Sequence, residues 1–303
     1  MPYGYTGKTL QVDLSNRKIE VEENDETFYR NYLGGRGVGY RYLLKQVPAG
    51  TDPFAPENIL VLATGVMTGS PLAASCRFAA VGKSPLTGAA GESEAAGFFG
   101  PELKKAGFDT IVFQGKSEKP VYLWVNDGKA ELKDATELAT LGARELEDAI
   151  RDEMGSSKIR VAQTGLAGMN GVLYANITNN LGNFNGRNGM GALMGSKNVR
   201  AVAALGSQKI EFADLDYLRQ TAKEYAKTFR NNPAGEALHV YGTTAFPEIL
   251  SAAGALPVNN FRPQGNELPE KLFRENVEKT HHIQSQACYR CGITCHNNIH
   301  ERN

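Results

Sequence analysis

Several things are scarce in this sequence, and each shortage excludes a class of protein. There is one tryptophan, and there are only four cysteines in 303 residues. Four cysteines are no disulfide framework, because a chain of this length buries enough core to fold without staples. An excess of either charge is also missing: Lys plus Arg and Asp plus Glu both number 33, so the net charge is zero. Nucleic-acid surfaces need a basic excess, so no nucleic-acid partner is expected, although a local basic pocket remains compatible. The longest apolar run, around Ile59 to Met67, falls far short of a membrane span, and no membrane partner is expected. The opening Met1-Pro2-Tyr3-Gly4-Tyr5-Thr6-Gly7-Lys8 has no apolar leader core. The chain reads as cytoplasmic. No internal repeat or low-complexity tract is legible.

Glycine is what the chain has in excess. Its 33 glycines exceed the roughly 7% of an average protein, and they cluster in a few loops where backbone turns sharply or approaches something closely. A hydrophobic content of 41% with 22% charged residues is that of a globular protein long enough for two domains.

The first part is strand-rich. Lys8 to Asp13 and Lys18 to Glu22 alternate about a polar turn and predict a hairpin. Asn24 or Asp25 caps a helix through Phe28, Tyr29 and Tyr32, with Gly34 as its left-handed end. A second helix is expected from Val38 to Gln46. The intervening Gly34-Gly35-Arg36-Gly37-Val38-Gly39 follows a helix, not a strand, so the dinucleotide fingerprint fails its context. Strands are expected at Asn58–Ala63, Arg77–Gly82, Thr110–Phe113, Val121–Val125, Ala130–Leu132, Arg160–Gln163 and Val199–Ala204. Pro101 at a first helical position opens a helix to Ala106, and Thr140 to Met154 has helical spacing. Small residues fill Ala89 to Gly97. Asn179 to Gly191 mixes Gly and Asn with Arg187. Such a run offers backbone N–H groups and a guanidinium to phosphates, and equally suits a multi-turn surface loop. Beyond Gly206-Ser207-Gln208 the character turns helical: Asp214–Arg230 is amphipathic, and shorter pieces follow at Ala245–Ala253 and Leu268–Thr280.

Three of the cysteines stand as Cys288-Tyr289-Arg290-Cys291-Gly292-Ile293-Thr294-Cys295, a C-x2-C-x3-C triplet. Compact triplets suit three corners of a cubane iron–sulfur cluster, whereas zinc more often takes separated pairs. The fourth ligand is Cys76 or lies outside these residues. Zinc on the triplet plus His296 or His300 is the competing arrangement.

Taken in order, Leu33-Gly34-Gly35-Arg36-Gly37, Arg77 before Lys83-Ser84-Pro85-Leu86-Thr87-Gly88, Gly97 to Lys104, Gly189 to Asn198 and the triplet resemble the tungsten-containing aldehyde:ferredoxin oxidoreductases. The resemblance runs from about Gly4 to the last residue and corresponds to the first half of that family. It implies an α+β fold. Residues 1–208 would form an N-terminal domain of two β-sheets with helices that binds a bis-pterin. Residues 209–303 would begin a mainly α-helical domain carrying the cysteine motif. The implied cofactors are tungsten or molybdenum on two pterins, a [4Fe–4S] cluster, and Mg2+ bridging the pterin phosphates. Position by position, Arg77 would lie between pterin and cluster, and Glu94 and Phe184 would turn backbone carbonyls to the Mg2+. Ala96, Gly97, Asn183, Gly186 and Arg187 would line the pterins, and Cys288, Cys291 and Cys295 would hold iron. Two positions depart from the family: Glu94 stands where many members have Asn, and Asn183 where they have Arg. The second change removes a phosphate partner.

The implied activity oxidises a small aldehyde to the carboxylic acid and passes electrons through the cluster to ferredoxin or another carrier protein; a homo-oligomer is compatible. The family's proton-transferring Glu and His fall outside these residues, so no catalytic residue is named and the chain alone is expected to be inactive. The alternatives are a bis-pterin subunit of an aromatic-ring-reducing complex, a sugar-aldehyde oxidase, and a non-enzymatic iron–sulfur or zinc module. The loops Arg77–Gly97 and Asn183–Gly191 are expected to meet on one face with Arg77 and Arg187 in one groove, and the three sulfurs to lie together.

Overall fold

The structure, a computed structural model, describes residues 3–257, 261 and 270–301. It divides into two compact units: residues 1–70 with 74–215, and residues 71–73 with 216–303.

The first unit opens with β1 (Lys8–Asp13), β2 (Lys18–Glu23), α1 (Glu26–Tyr32), α2 (Gly35–Gln46), β3 (Leu60–Thr64), β4 (Phe78–Lys83), β5 (Ala90–Ala95), α3 (Phe99–Lys105) and β6 (Thr110–Gln114). It continues with β7 (Val121–Asn126), β8 (Lys129–Asp134), α4 (Ala143–Met154), β9 (Arg160–Thr164), α5 (Leu166–Met169), β10 (Ile177–Asn179), β11 (Asn183–Asn185), α6 (Met190–Ser196) and β12 (Val199–Leu205). The strands form two six-stranded mixed sheets, ordered β2-β1-β6-β3-β4-β5 and β8-β7-β12-β9-β10-β11. The second order is the first with six added to every strand. The pairings repeat as well: β1 with β6 and β7 with β12 are parallel, and every other neighbour pair is antiparallel. The first unit is therefore a topological duplicate. The sequence shows no repeat because topology needs only matching burial patterns, which many residue choices satisfy.

Strand alternation builds the layers. On β3, Leu60 and Leu62 face a core shared by both sheets, with Phe78, Phe113, Leu123, Val125 and Val202. Val61 and Ala63 face the other way, onto Val38, Tyr42 and Leu43 of α2. In the second sheet Tyr122, Val161, Ala201 and Ala203 meet Leu146 and Ile150 of α4. Central strands such as β3 and β12 are buried on both faces because both faces are covered, with Arg200 the charged exception on β12. The layer order is helices, sheet, sheet, helix. The equivalent helices α3 and α6 sit inside, sending Phe99, Leu103, Leu193 and Met194 into the shared core.

Local details differ from the sequence reading for identifiable reasons. Helix α1 ends on left-handed Leu33, and α2 begins at Gly35, inside the glycine run. Those glycines serve packing: a Cβ on Gly34 would lie 2.5 Å from Thr64 O, and one on Gly39 would strike the Val81 side chain. Helix α3 starts at Phe99, two residues before Pro101, still within the first turn where a missing N–H costs nothing. Ala89–Gly97 contains the edge strand β5, and Asn179–Gly191 contains the hairpin strand β11.

The second unit holds α7 (Leu215–Thr228, whose first residue belongs to the first unit), α8 (Pro233–Tyr241), α9 (Phe246–Ala252), α10 (Arg274–Thr280) and a two-stranded antiparallel sheet, β13 (His281–Gln286) with β14 (His296–Glu301). The helix expected from Leu268 begins outside the described residues. Among those described it is a 3-10 turn at Glu270–Leu272 followed by α10. His296 to Glu301 pair with β13 along their whole length. Among the described residues no helix is long and apolar enough to cross a membrane.

Candidate cofactor and metal site

The two sheets end side by side on their equivalent edge strands, β5 and β11. Small and amide side chains make the seam. Ser93 Oγ donates to the Gly186 carbonyl, and Asn185 Nδ2 donates to Ser93 O at 2.9 Å. Asn188 Nδ2 donates to Glu92 O at 2.7 Å, and Asn179 Nδ2 to Ala96 O at 3.1 Å. Phe98 N donates to Asn180 Oδ1 at 2.9 Å. Edge strands carry unpaired backbone groups, and here asparagine amides take up part of that capacity across the seam.

Gly97 lies at its centre with φ +105. A Cβ there would fall 2.3 Å from Asn179 Oδ1, 2.9 Å from Asn183 Oδ1 and 3.0 Å from Asn180 Oδ1. Three amide oxygens thus converge where only hydrogen fits. The Oδ1 atoms of Asn179 and Asn185 are buried without a protein partner. Close packing at Gly97 seats the end of β5 against β11, and the exposed guanidinium of Arg187, in the loop after β11, is the donor here that suits a phosphate-bearing cofactor.

The site residues inferred from sequence fall around this seam. Glu94 is on β5, followed by Ala96 and Gly97, while Asn183 and Phe184 are on β11, followed by Gly186 and Arg187. Phe184 and Arg187 are exposed, and Arg187 is left-handed at φ +67. Arg77 is exposed and lines a cavity of about 220 Å³ with Glu94, Gly65, Met67, Thr68 and Ala74. Arg187 is not among that cavity's lining residues. Arg36 of α2 bridges Glu92 at 3.3 Å and Glu94 at 3.0 Å, which fixes the outward carboxylates of β5.

The loop bearing Arg77 is held from below. Thr68 Oγ1 accepts from Gly65 N at 2.9 Å and donates to Arg77 O at 2.8 Å. Lys104, fully buried, donates to the carbonyls of Gly65 and Gly4, both at 2.6 Å. Burial pushes its ammonium down from the usual range, and Asp109 at 3.5 Å opposes that shift. Asp109 Oδ2 in turn accepts from Thr6 N, Gly7 N and Tyr29 OH. Burial, and then the Asp109 charge, push the Tyr29 phenol up. The second half has its own buried lysine: Lys197 donates to Pro56 O, Asn58 O and Gly115 O of the first half. Burial pushes Lys197 down to about 8.

Cys288, Cys291 and Cys295 occupy the connection between β13 and β14, half-buried and free of disulfides. Cys291 N donates to Cys288 O at 3.1 Å, and Arg290 and Thr294 take left-handed φ values of +52 and +54. Thr243 N donates to Cys295 O at 3.3 Å. The sulfurs are expected from sequence to lie together. Instead, among the described residues no group of three or more His, Cys, Asp or Glu is gathered for a metal, with or without His296 and His300. Backbone hydrogen bonds at Cys291 and Cys295 shape this loop. Three soft donors in one turn still match an iron–sulfur cluster in kind. Cys76 is buried in the first unit.

Residues 9–206 match the family described as aldehyde ferredoxin oxidoreductase, N-terminal domain, and residues 220–303 match aldehyde ferredoxin oxidoreductase, domains 2 and 3. The chain belongs to the aldehyde ferredoxin oxidoreductase family. It is 39% identical over 97% of its length to the tungsten-containing aldehyde ferredoxin oxidoreductase of Pyrococcus furiosus, and 38% identical over 97% to that of Thermococcus kodakarensis. It spans 49% of each relative, about half their length. Among solved structures it resembles the active-site complex BamBC of benzoyl coenzyme A reductase bound to 1,5-dienoyl-CoA. That likeness has a TM-score of 0.82 and 29% identity, and covers 99% of this chain and 48% of the other. The two-sheet α+β architecture expected from the resemblance is the one observed.

Within this family member, the residues that knit the seam were not picked out from sequence as site residues. Ser93, Asn179, Asn185 and Asn188 act through backbone partners more than 80 residues away. The one available signal was the unusual density of Asn between Asn179 and Asn188. Arg36 was read only as part of a glycine run, and its pairing with β5 has no local signature.

Proposed function

We propose that this chain provides one face of a tungsten (or molybdenum) bis-pterin site in an oxidoreductase converting aldehydes to carboxylic acids. The observation that supports the reading is the β5–β11 seam, where Ala96 and Gly97 lie against Asn179, Asn180 and Asn183 in the same stretch as the exposed Arg187. Ala96, Gly97, Asn183, Gly186 and Arg187 would line the pterins, with Arg187 offering a planar fork to phosphate. The backbone carbonyls of Glu94 and Phe184 would face a Mg2+ ion, a contact indifferent to the side chain at either position. Arg77 would present its charge at the pterin edge, held by Thr68 and, through Gly65, by Lys104.

When bound, the metal–pterin centre supplies the two-electron chemistry of R–CHO + H2O → R–COOH + 2H+ + 2e−. Cys288, Cys291 and Cys295 would hold three irons of a [4Fe–4S] cluster carrying those electrons to ferredoxin or another carrier. The division of residues 1–208 and 209–303 between cofactor base and cluster-bearing domain belongs to the same proposal.

The test is expression with tungstate under anaerobic conditions, followed by assay of bound tungsten, pterin and iron and of viologen reduction by short aldehydes in the full-length protein. Pterin and tungsten retained by the wild type and lost from Gly97→Val support the reading. Retention by both variants overturns it. The likeness to the benzoyl coenzyme A reductase complex favours a second reading, a subunit of a ring-reducing system. Metal-loaded protein that ignores every aldehyde yet oxidises a dienoyl thioester would select it.

A further inference from the structure

From helix α8 one side chain reaches the cysteine loop. His239 Nδ1 lies 3.2 Å from Gly292 O, 3.2 Å from Ile293 O and 3.3 Å from Thr294 Oγ1. Two carbonyls facing one ring nitrogen make Nδ1 the donor. The other nitrogen, Nε2, then accepts from the Arg230 guanidinium, and the Phe229 ring packs edge-on at 5.6 Å. These neighbours settle the tautomer and the ring plane. The single Nδ1 N–H of His239 is therefore shared among acceptors on the three residues that separate Cys291 from Cys295.

We propose that His239 is the positioning residue of the cysteine loop: it fixes the Gly292–Thr294 backbone, and with it the spacing and environment of the Cys291 and Cys295 thiols. The inference builds on the reading of that loop as iron-binding, and it adds a residue that holds the loop without ligating metal. Two features of the same unit support it. Thr243 N holds Cys295 O from the turn that follows α8, so the loop is pinned at two points from one segment. Thr294 is held at φ +54, a conformation a β-branched residue keeps only when its surroundings impose it. Hydrogen bonding and dielectric around cluster sulfurs set their reduction potential, so a residue that fixes this backbone also tunes the potential.

The experiment uses two variants of the full chain. His239→Leu removes the donor, and His239→Asn places an amide N–H near the Nδ1 position. In the metal-free protein, amide exchange at Ile293 to His296 should rise about tenfold in the Leu variant and return to the wild-type range in the Asn variant. Alkylation of Cys291 and Cys295 should follow the same order, while exchange in α7 stays unchanged. In iron-loaded protein the Leu variant should shift the cluster's potential and EPR line shape, and the Asn variant should restore both. Wild-type exchange and alkylation in the Leu variant overturn the proposal. Should that variant loosen the whole second unit, the Asn variant decides: wild-type values support the proposal and Leu-like values overturn it. A loop freed by His239→Leu in a chain that never binds iron would sink the cluster reading and leave the positioning role standing.

Discussion

Asn185 donates its side-chain amide to the Ser93 carbonyl at 2.9 Å, and this bond joins the edge strand of one sheet to the edge strand of the other. Both residues are buried, so neither group has water to fall back on. Asn185→Leu is therefore expected to leave a buried carbonyl unpaired and to cost roughly 1–3 kcal/mol. A urea titration of the first unit should show the loss as a lower midpoint with unchanged slope.

Gly97→Ala adds one methyl group where three amide oxygens already sit, at a φ of +105 that alanine resists. The expected outcome is a folded protein, destabilised by about 1–3 kcal/mol, that retains little pterin. Circular dichroism and pterin release from the same preparation check it. Full pterin content in the alanine variant would remove this seam from the site.

Lys197 gives a pH dependence of defined sign. Burial lowers its folded value to about 8 from 10.5, so between those values the unfolded chain binds more protons than the folded one. Stability contributed by this group therefore rises as pH climbs from about 8 toward 10.5, and below 8 the full cost of burying the charge is paid. Compared with Lys197→Met, the wild type should gain denaturant resistance steadily across that window, while other groups cancel in the difference. A difference that is flat with pH contradicts this.

Removing the Lys104 charge orphans two carbonyls and leaves the Asp109 carboxylate buried without its cation. Lys104→Met is expected to cost about 3–5 kcal/mol. The Asp109→Asn change in that background should recover part of it, measurable as a double-mutant cycle.

Gly242 sits at φ +61, where an added Cβ would lie 2.6 Å from Cys295 O. Gly242→Ala should displace the end of the cysteine loop and lower iron loading severalfold, with tungsten and pterin content unchanged. Loss of all three together would mean that the two units do not load independently.

Much of this molecule was readable in the chain, and the unread parts share a cause. Strands β1, β3, β6, β7 and β12 announce themselves through β-branched alternation or continuous apolar runs, and α4 and α7 through spacing. Strand β5 was hidden because Ala90-Gly91-Glu92-Ser93-Glu94-Ala95 has no β-branched residue; its pairing with β4 makes it a strand. Strands β13 and β14 are polar apart from one isoleucine each, Ile283 and Ile299, and their register with each other defines them. The glycine loops and the cysteine triplet marked the candidate site. Its asparagine cross-links could not be read, because each joins positions distant in sequence.

The duplicated topology has a practical consequence. Each half of the first unit has one face of a sheet and one edge strand that make sense only against its counterpart, and Lys197 of one half is anchored on carbonyls of the other. Between them runs a short link, Gly115 to Pro120. A gene cut in that link should give two polypeptides that are each aggregation-prone alone and that find one another when co-expressed.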